Sequence, residues 1–382
     1  MNVGLYLTAA LGPLGAGILG VVLTVFVLAY QRLKHKNQLL EEFVDPLITK
    51  LLLVLLVLSL AAIIFSRDPA MSFAVVAGQV LMVFFGILGG RYLVGNPLVR
   101  SRVLLVTAIS LGISATVVLF KYLYFSLPRS STLFSDSVNA TGSMLVLFSG
   151  VTLAYLWSLN TTKSKIGTVI LYLLTLLAVL ATGSRGAFLG YIGLSLVLLA
   201  FNKRGMIILL GVALVLSTAM LINENWRERY SRLSISQNMD RIYIYQTSLN
   251  MMKDKPILGV GPGTFGSQYS EYKPPEEHVD AHCYAHNLYL QIGSEYGIPA
   301  LIVFLSITLL VFWYGFRLTM FGDLVSRGLL ASYVGTMIHQ MFDIAVWRAD
   351  LGSVFWLVIG AIIAAYVKTR SYTAKAEINQ AC

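Results

Sequence analysis

The sequence predicts an all-α, polytopic integral membrane protein with about eleven to twelve transmembrane helices and one large extracytoplasmic loop. Three observations carry that expectation. Of 382 residues, 57% are hydrophobic and only 12% charged, half the roughly 25% charge of soluble domains, and the mean hydropathy is +0.75. Apolar runs of the about 20 residues needed to cross a hydrocarbon core recur along the chain. The short loops between them alternate between rich and poor in Lys and Arg. A soluble globular enzyme, a disordered chain and a disulfide-stapled secreted protein are excluded. The net charge of +10 does not imply nucleic acid, because the basic residues sit mostly in turns between spans, where they orient the chain in a bilayer.

Eleven runs qualify, at roughly 8–30, 47–65, 70–90, 103–120, 141–159, 166–182, 186–201, 205–222, 298–316, 328–344 and 351–367. The first has no basic n-region before it and continues to about Tyr30, so it reads as a span and not a cleaved signal. Thr182 to Gly186 is the thinnest break between two runs. One set of loops holds Arg32, Lys34, Lys36, Arg91, Arg100, Arg102, Lys163, Lys165, Lys203, Arg204, Arg317, Arg327, Lys368, Arg370 and Lys375. The opposite short loops hold Arg67, Lys121, Arg129, Arg185 and Arg348. Fifteen against five marks the first set as cytoplasmic, with the N-terminus outside and the C-terminus inside. The expected organisation is N-terminal transmembrane helices over 1–222, an extracytoplasmic loop over 223–297, C-terminal transmembrane helices over 298–370 and a cytoplasmic tail over 371–382. Cys283 and Cys382 then fall on opposite sides and cannot pair within the chain.

The loop over 223–297 is far longer than a connection requires, and long loops in compact proteins are usually functional. Its charge is nearly balanced, seven Lys and Arg against nine Asp and Glu. Helices are expected at about 240–253, where Ile242, Tyr245, Leu249 and Met252 share one face, and at about 276–295. The breaker-rich stretch Pro256 to Gly266 separates them.

Several residue groups bear on chemistry. Gly261-Pro-Gly-Thr-Phe-Gly266 has the letters of a dinucleotide-binding turn, but no strand precedes it and it lies outside the spans, so it reads as a turn folding the loop back on the bilayer. His278, His282 and His286 are four apart, with Asp280 and Cys283 near. On a helix they would share a face, which admits a zinc site, a single catalytic histidine or a merely solvated edge. Arg185, between two apolar runs and flanked by glycines, either faces a cavity or snorkels to headgroups. Arg241 opens the first loop helix after the run Arg227, Arg229 and Arg232. His339 and Asp343 are four apart in the tenth span and could face one another, with Arg348 in the turn that follows.

Arg185, Arg241, Arg348 and His286 therefore collect on the expected outer side. The planar guanidinium fork suits phosphate oxygens, and a neutral imidazole suits removal of a hydroxyl proton. Such groups would displace a glycan from a lipid diphosphate, whose departure needs charge stabilisation.

On these residues the sequence resembles the O-antigen ligase/polymerase superfamily of bacterial envelope glycosyltransferases. The resemblance lies in Gly183-Ser-Arg-Gly-Ala187, in Arg241 followed by Pro256-Ile-Leu-Gly-Val-Gly-Pro-Gly-Thr-Phe265, and in Ala285-His-Asn-Leu-Tyr-Leu-Gln291 with Glu295-Tyr-Gly297. It covers roughly 140–300 well and the earlier part by hydropathy. Members commonly have one more helix and an internal N-terminus, from which the count above departs. The resemblance implies an inverting transfer without metal or cofactor, at the outer face of the bacterial inner membrane. The donor would be an undecaprenyl-diphosphate-linked glycan and the acceptor a sugar hydroxyl, on lipid A–core or on another glycan. Arg185 and Arg241 match arginines that hold the diphosphate, His286 matches the histidine that activates the acceptor, and Arg348 resembles a late outer-turn arginine. A ligase capping lipid A–core and a polymerase lengthening a lipid-linked chain need the same groups. The single long loop and the Trp347-Arg348 turn favour the ligase. A polysaccharide-lipid transporter would also be all-helical, but the sequence shows none of the repeats, broken helices or mid-membrane charges such proteins carry.

Overall fold

The computed structural model describes residues 2–11, 45–127, 129–133, 135, 137–199, 235–279, 282–347 and 349–381. Thirteen α-helices and no strand occur among these. They are α1 (Asn2–Leu11), α2 (Pro46–Ile64), α3 (Pro69–Gly95), α4 (Pro97–Tyr124), α5 (Val138–Ser158), α6 (Thr162–Ala181) and α7 (Arg185–Leu199). Then follow α8 (Ile235–Asp254), α9 (Phe265–Tyr272), α10 (Leu288–Tyr296), α11 (Ile298–Met320), α12 (Leu324–His339) and α13 (Ala349–Ala381). A single 3₁₀ turn, Ala345–Trp347, joins the last two.

The helix starts are written locally. Proline occupies the first turn of α2, α3, α4 and α11, where its missing N–H costs nothing. Asp45 caps α2 by accepting from the Leu47 and Ile48 N–H groups, and Asp68 caps α3 from Met71. Thr161 and Ser164 close a reciprocal capping box on α6.

Seven helices among the described residues are long and apolar enough to cross a membrane, and their burial shows what surrounds them. The α2 window has the highest mean hydropathy, 2.8, yet only 17% of it is buried, whereas α5 has the lowest, 1.4, and is 83% buried. In water that order would be inverted, because apolar surface is driven inward. Leu53 and Val57 of α2, Ile109 of α4, Ile170 of α6 and Leu309 of α11 all stand outward. A lipid surround accounts for such a belt, and the protein is a polytopic, all-helical membrane protein.

Lipid removes the usual drive to bury apolar side chains between helices, so spans associate by close packing at small residues. Here α7 crosses α12 with Gly190 against Gly335: a Cβ on Gly190 would lie 2.5 Å from the Gly335 carbonyl oxygen. The same device joins α3 to α13, where a Cβ on Gly90 would lie 2.3 Å from the Ala361 nitrogen.

Nine of the eleven expected runs correspond to described helices, although α7 and α12 are shorter than a full span, 15 and 16 residues. Run 205–222, nearly all of run 8–30 and the arginines 227, 229 and 232 lie outside the described residues. The expected helix at 240–253 is α8, but its buried stripe is Ile244, Thr247, Ser248 and Met251, while Ile242 and Leu249 are exposed. The Thr247 and Ser248 hydroxyls donate to carbonyls one turn back, at Tyr243 and Ile244, so two polar letters are buried at little cost. The expected helix at 276–295 is corrected. Only α10, from Leu288, is helical, because Pro274 and Pro275 and the left-handed His286 (φ 51°) break the preceding chain.

The α7–α12 contact gives the first prediction. Gly190→Val destabilises the protein by about 1–3 kcal/mol through overpacking, read as a lower thermal midpoint in detergent. Gly167→Ala, where a Cβ meets nothing within 4 Å, leaves the midpoint unchanged or slightly raised, since alanine favours helix by about 1 kcal/mol over glycine.

Candidate active site

Polar groups gather at the end of the bundle formed by the α6–α7 hairpin, the C-terminus of α12 and the start of α10. Each is placed by short-range chemistry. Thr182 caps α6 and its hydroxyl accepts the Ser184 N–H at 3.2 Å; Gly183 adopts φ 63°, and α7 begins at Arg185. Arg129 straps the reversal from outside, donating through Nε to the Thr182 carbonyl at 3.2 Å and through Nη2 to Asn139 at 3.1 Å. A guanidinium on a helix C-terminus is favourable to the dipole there. Arg185 itself is half-buried at the helix start.

Immediately after His286, Asn287 caps α10. Its Oδ1 accepts the Tyr289 and Leu290 N–H groups at 3.0 and 3.1 Å, and its Nδ2 donates to the Met341 carbonyl at 3.0 Å. The Leu288 N–H donates to the Gln340 carbonyl at 2.9 Å. The start of α10 thus hangs from the turn that ends α12. The His286 ring meets Tyr284 edge-on at 4.6 Å, and its Nδ1 faces Asp343 Oδ1 at 3.6 Å, with the histidine side chain 27% and the aspartate 10% exposed.

Asp343 lies beyond α12, which ends at His339 with Gln340 as cap, so helical spacing is not what brings His339 and Asp343 near. A tight turn does, and it points the carboxylate at His286 as well. Burial would push the Asp343 carboxyl up, but contact with His286 and the Ile344 N–H at 2.8 Å hold it below its ordinary range.

Arg241, in the second turn of α8, reaches the same place. Tyr245, one turn on, is half-buried within electrostatic reach of both Arg241 and Asp343; burial raises its phenol despite Arg241. Arg241 and Asp343 also act on His339. The first turn of α7 completes the ring: a Cβ on Gly186 would lie 3.2 Å from His339 Cδ2 and 2.8 Å from Phe342 Cβ. Of the four expected site residues, His286 and Arg241 are therefore joined through Asp343, Tyr245 and His339, and Arg185 starts the helix that abuts His339. Arg348 lies outside the described residues; its neighbour Trp347 packs edge-on against Tyr296 at 6.0 Å.

The expected alignment of His278, His282 and His286 does not occur, because no helix spans them. His278 is exposed, and His282 stands edge-on to Tyr269 at 4.9 Å. Among the described residues no three His, Cys, Asp or Glu side chains converge as a metal-binding group. The glycine-rich segment behaves as a turn, its amides paired with α10: Val260 N–H donates to Ser294 O at 2.8 Å and Gly261 N–H to Glu295 O at 3.1 Å. Glu295 Oε1 accepts the Phe265 N–H at 3.1 Å.

Next to the histidine and the 3₁₀ turn, Leu288, Ile292, Tyr296, Val346, Trp347 and residues of α2 and α3 line an apolar cavity of about 400 Å³.

Fold and site together define a helical membrane protein with a cluster of arginine, histidine and carboxylate at one end of its bundle, beside an apolar cavity. Residues 170–305 match the family model described as O-antigen ligase. The matched stretch contains Arg185, Arg241 and His286. No curated protein matches the chain.

Sequence reasoning missed Tyr245, Gln340 and the strap formed by Arg129. It quoted Asn287 without its role, although Asn before an apolar run is a helix-start signature. Gln340 and Tyr245 carry no such signal, since only the fold brings them to the histidines.

The buried Glu295 sets a pH dependence. Burial pushes its carboxyl up to about 7 from 4.5, against the Gly263 and Phe265 N–H groups and Gln291. Protonation is thus favoured in the folded state, so its contribution to stability is fully present below about pH 4.5 and is lost as pH rises to about 7. The whole change is at most about 3 kcal/mol. The thermal midpoint of wild type relative to Glu295→Gln is expected to fall from pH 5 to pH 7.5; parallel curves for the two proteins would refute the assignment.

Proposed function

We propose that the protein is an inverting glycosyltransferase that moves a glycan from undecaprenyl diphosphate to a sugar hydroxyl at the outer face of the bacterial inner membrane. The carrying observation is the convergence of Arg241, His286 and Asp343 with the Arg185 helix start at one end of the bundle. The chain's own residues are sufficient for each proton and charge the reaction moves, and no step is routed through a metal.

Asp343, held as a carboxylate, faces His286 Nδ1 and orients the ring so that Nε2 presents its lone pair to the acceptor. The acceptor hydroxyl gives its proton to Nε2 as its oxygen bonds to the anomeric carbon. The carbon–oxygen bond to the diphosphate breaks on the opposite face, which inverts the centre. Arg185 and Arg241 stabilise the negative charge that develops on the departing lipid diphosphate. The apolar cavity beside Leu288 and Trp347 suits the isoprenoid chain of that carrier, because its walls are almost wholly hydrocarbon.

Within this chemistry the preferred acceptor is lipid A–core, which makes the protein an O-antigen ligase. The long connection over 223–297, much of it folded into α8, α9 and α10 around the histidine, supports that choice.

Purified protein incubated with lipid-linked glycan and lipid A–core is expected to cap the core in one step. A ladder of lengthening lipid-linked product without the core would identify a polymerase. His286→Ala is expected to lower turnover by about 10²–10⁴-fold, and Arg185→Ala or Arg241→Ala by about 10²–10³-fold, each with an unchanged thermal midpoint. Full transfer in all three variants would reject the proposal.

A further inference from the structure

One buried group at the site is left over by this mechanism. His339 is fully buried, and its two ring nitrogens have opposite surroundings. Nδ1 lies 3.1 Å from the Gln340 side-chain nitrogen. The Gln340 amide cannot be turned around without loss, because its Oε1 accepts the Val346 N–H at 3.2 Å and its Nε2 also reaches Ser143 Oγ at 3.4 Å. An NH₂ group facing Nδ1 makes Nδ1 the acceptor, so the single proton of the neutral imidazole resides on Nε2. A doubly protonated ring would set N–H against N–H at Nδ1.

That Nε2–H is buried and has no hydrogen-bond partner among the described residues. Orphaned buried donors are rare in native folds and call for a partner. The ring edge that carries it, Cδ2–Nε2, lies against the first turn of α7: a Cβ on Gly186, next to Arg185, would come within 3.2 Å of Cδ2. Arg241 and Asp343 are the charged groups that act on the ring. An N–H donor therefore stands beside a helix N-terminus, whose amides and dipole favour an anion, with one guanidinium starting that helix and another within electrostatic reach.

Resting on the reading of the site as a lipid-diphosphate transferase, we propose that His339, locked as its Nε2–H tautomer by Gln340, donates a hydrogen bond to a phosphate oxygen of the carrier. It is a neutral third member of the clamp formed with Arg185 and Arg241. A neutral donor adds no charge to a place where Arg241 already supplies it, and its burial leaves the bond unscreened by water. Its two hydrogen-bonding duties are divided: Nδ1 reads the protein and Nε2 reads the ligand.

The test uses the full-length protein in detergent, with geranylgeranyl diphosphate as the binding probe and His339→Leu and His339→Gln as variants. The glutamine Nε2 can occupy nearly the position of the imidazole Nε2 and donate from it. His339→Leu is expected to weaken probe binding about tenfold and to raise KM for the lipid-linked donor; His339→Gln stays within about threefold of wild type. Equal losses in both variants would mean a purely structural histidine and overturn the inference. Unchanged binding in His339→Leu, while Arg185→Ala and Arg241→Ala lose it, would overturn the inference but leave the diphosphate reading standing. Unchanged binding in all four would remove that reading as well. Should His339→Leu fail to fold, ¹⁵N-histidine NMR of the wild type decides: Nε2 protonated in the free protein and shifted by the diphosphate supports the inference, and a protonated Nδ1 or an unmoved Nε2 overturns it.

Discussion

The close crossing of α7 and α12 at Gly190 and Gly335 is the contact on which the rest of the site depends. In lipid there is no hydrophobic force to press two spans together, so their separation is set by how near the backbones can come. With glycine on both sides that separation is small enough for His339 to touch Gly186, and α7 therefore begins, at Arg185, directly beside the end of α12. The same end of α12 offers the Gln340 and Met341 carbonyls to Leu288 and Asn287. The start of α10, with His286, is hung from it by two hydrogen bonds. One helix terminus thus fixes three separate segments whose residues are about 50 to 150 positions apart in the chain.

The chemistry of the cluster follows from how its polar groups are shared. Asn287 has every side-chain atom committed to caps and carbonyls, and Gln340 is committed to Val346, Ser143 and His339. These amides hold the scaffold and carry no charge. The charged groups are set against one another: Asp343 faces His286, and Arg241 lies within electrostatic reach of Tyr245 and His339. A rigid neutral frame around oriented charges is what the proposed stabilisation of a departing diphosphate requires, since dipoles fixed in advance need no reorganisation during reaction.

Much of the fold could be read along the chain because bilayer thickness fixes helix length and each span must satisfy its own backbone. The spans from Pro46 to Ala181 appear near their expected places, and the break at Thr182 to Gly186 is a true reversal, written as Thr182, a left-handed Gly183 and a new helix. Reading failed where apolar letters are a poor guide. The buried face of α8 runs through Thr247 and Ser248, whose hydroxyls are satisfied within their own helix, and the stripe of Ile242 and Leu249 faces outward. The three histidines spaced by four invited a common face, but two prolines and a left-handed residue leave that stretch without a helix.

By itself the sequence determined the class of structure and the arginine hairpin, because hydropathy and turn chemistry act over a few neighbouring residues. Only the tertiary structure decided which partners those residues meet: that Asp343 faces His286 as well as acting on His339, that Arg241 and Asp343 both act on Tyr245, and that Gln340 engages one nitrogen of His339 while the other has no hydrogen-bond partner among the described residues. Those pairings join side chains distant along the chain. They are set by how closely glycine-bearing helices can pack, a distance no local pattern of letters contains.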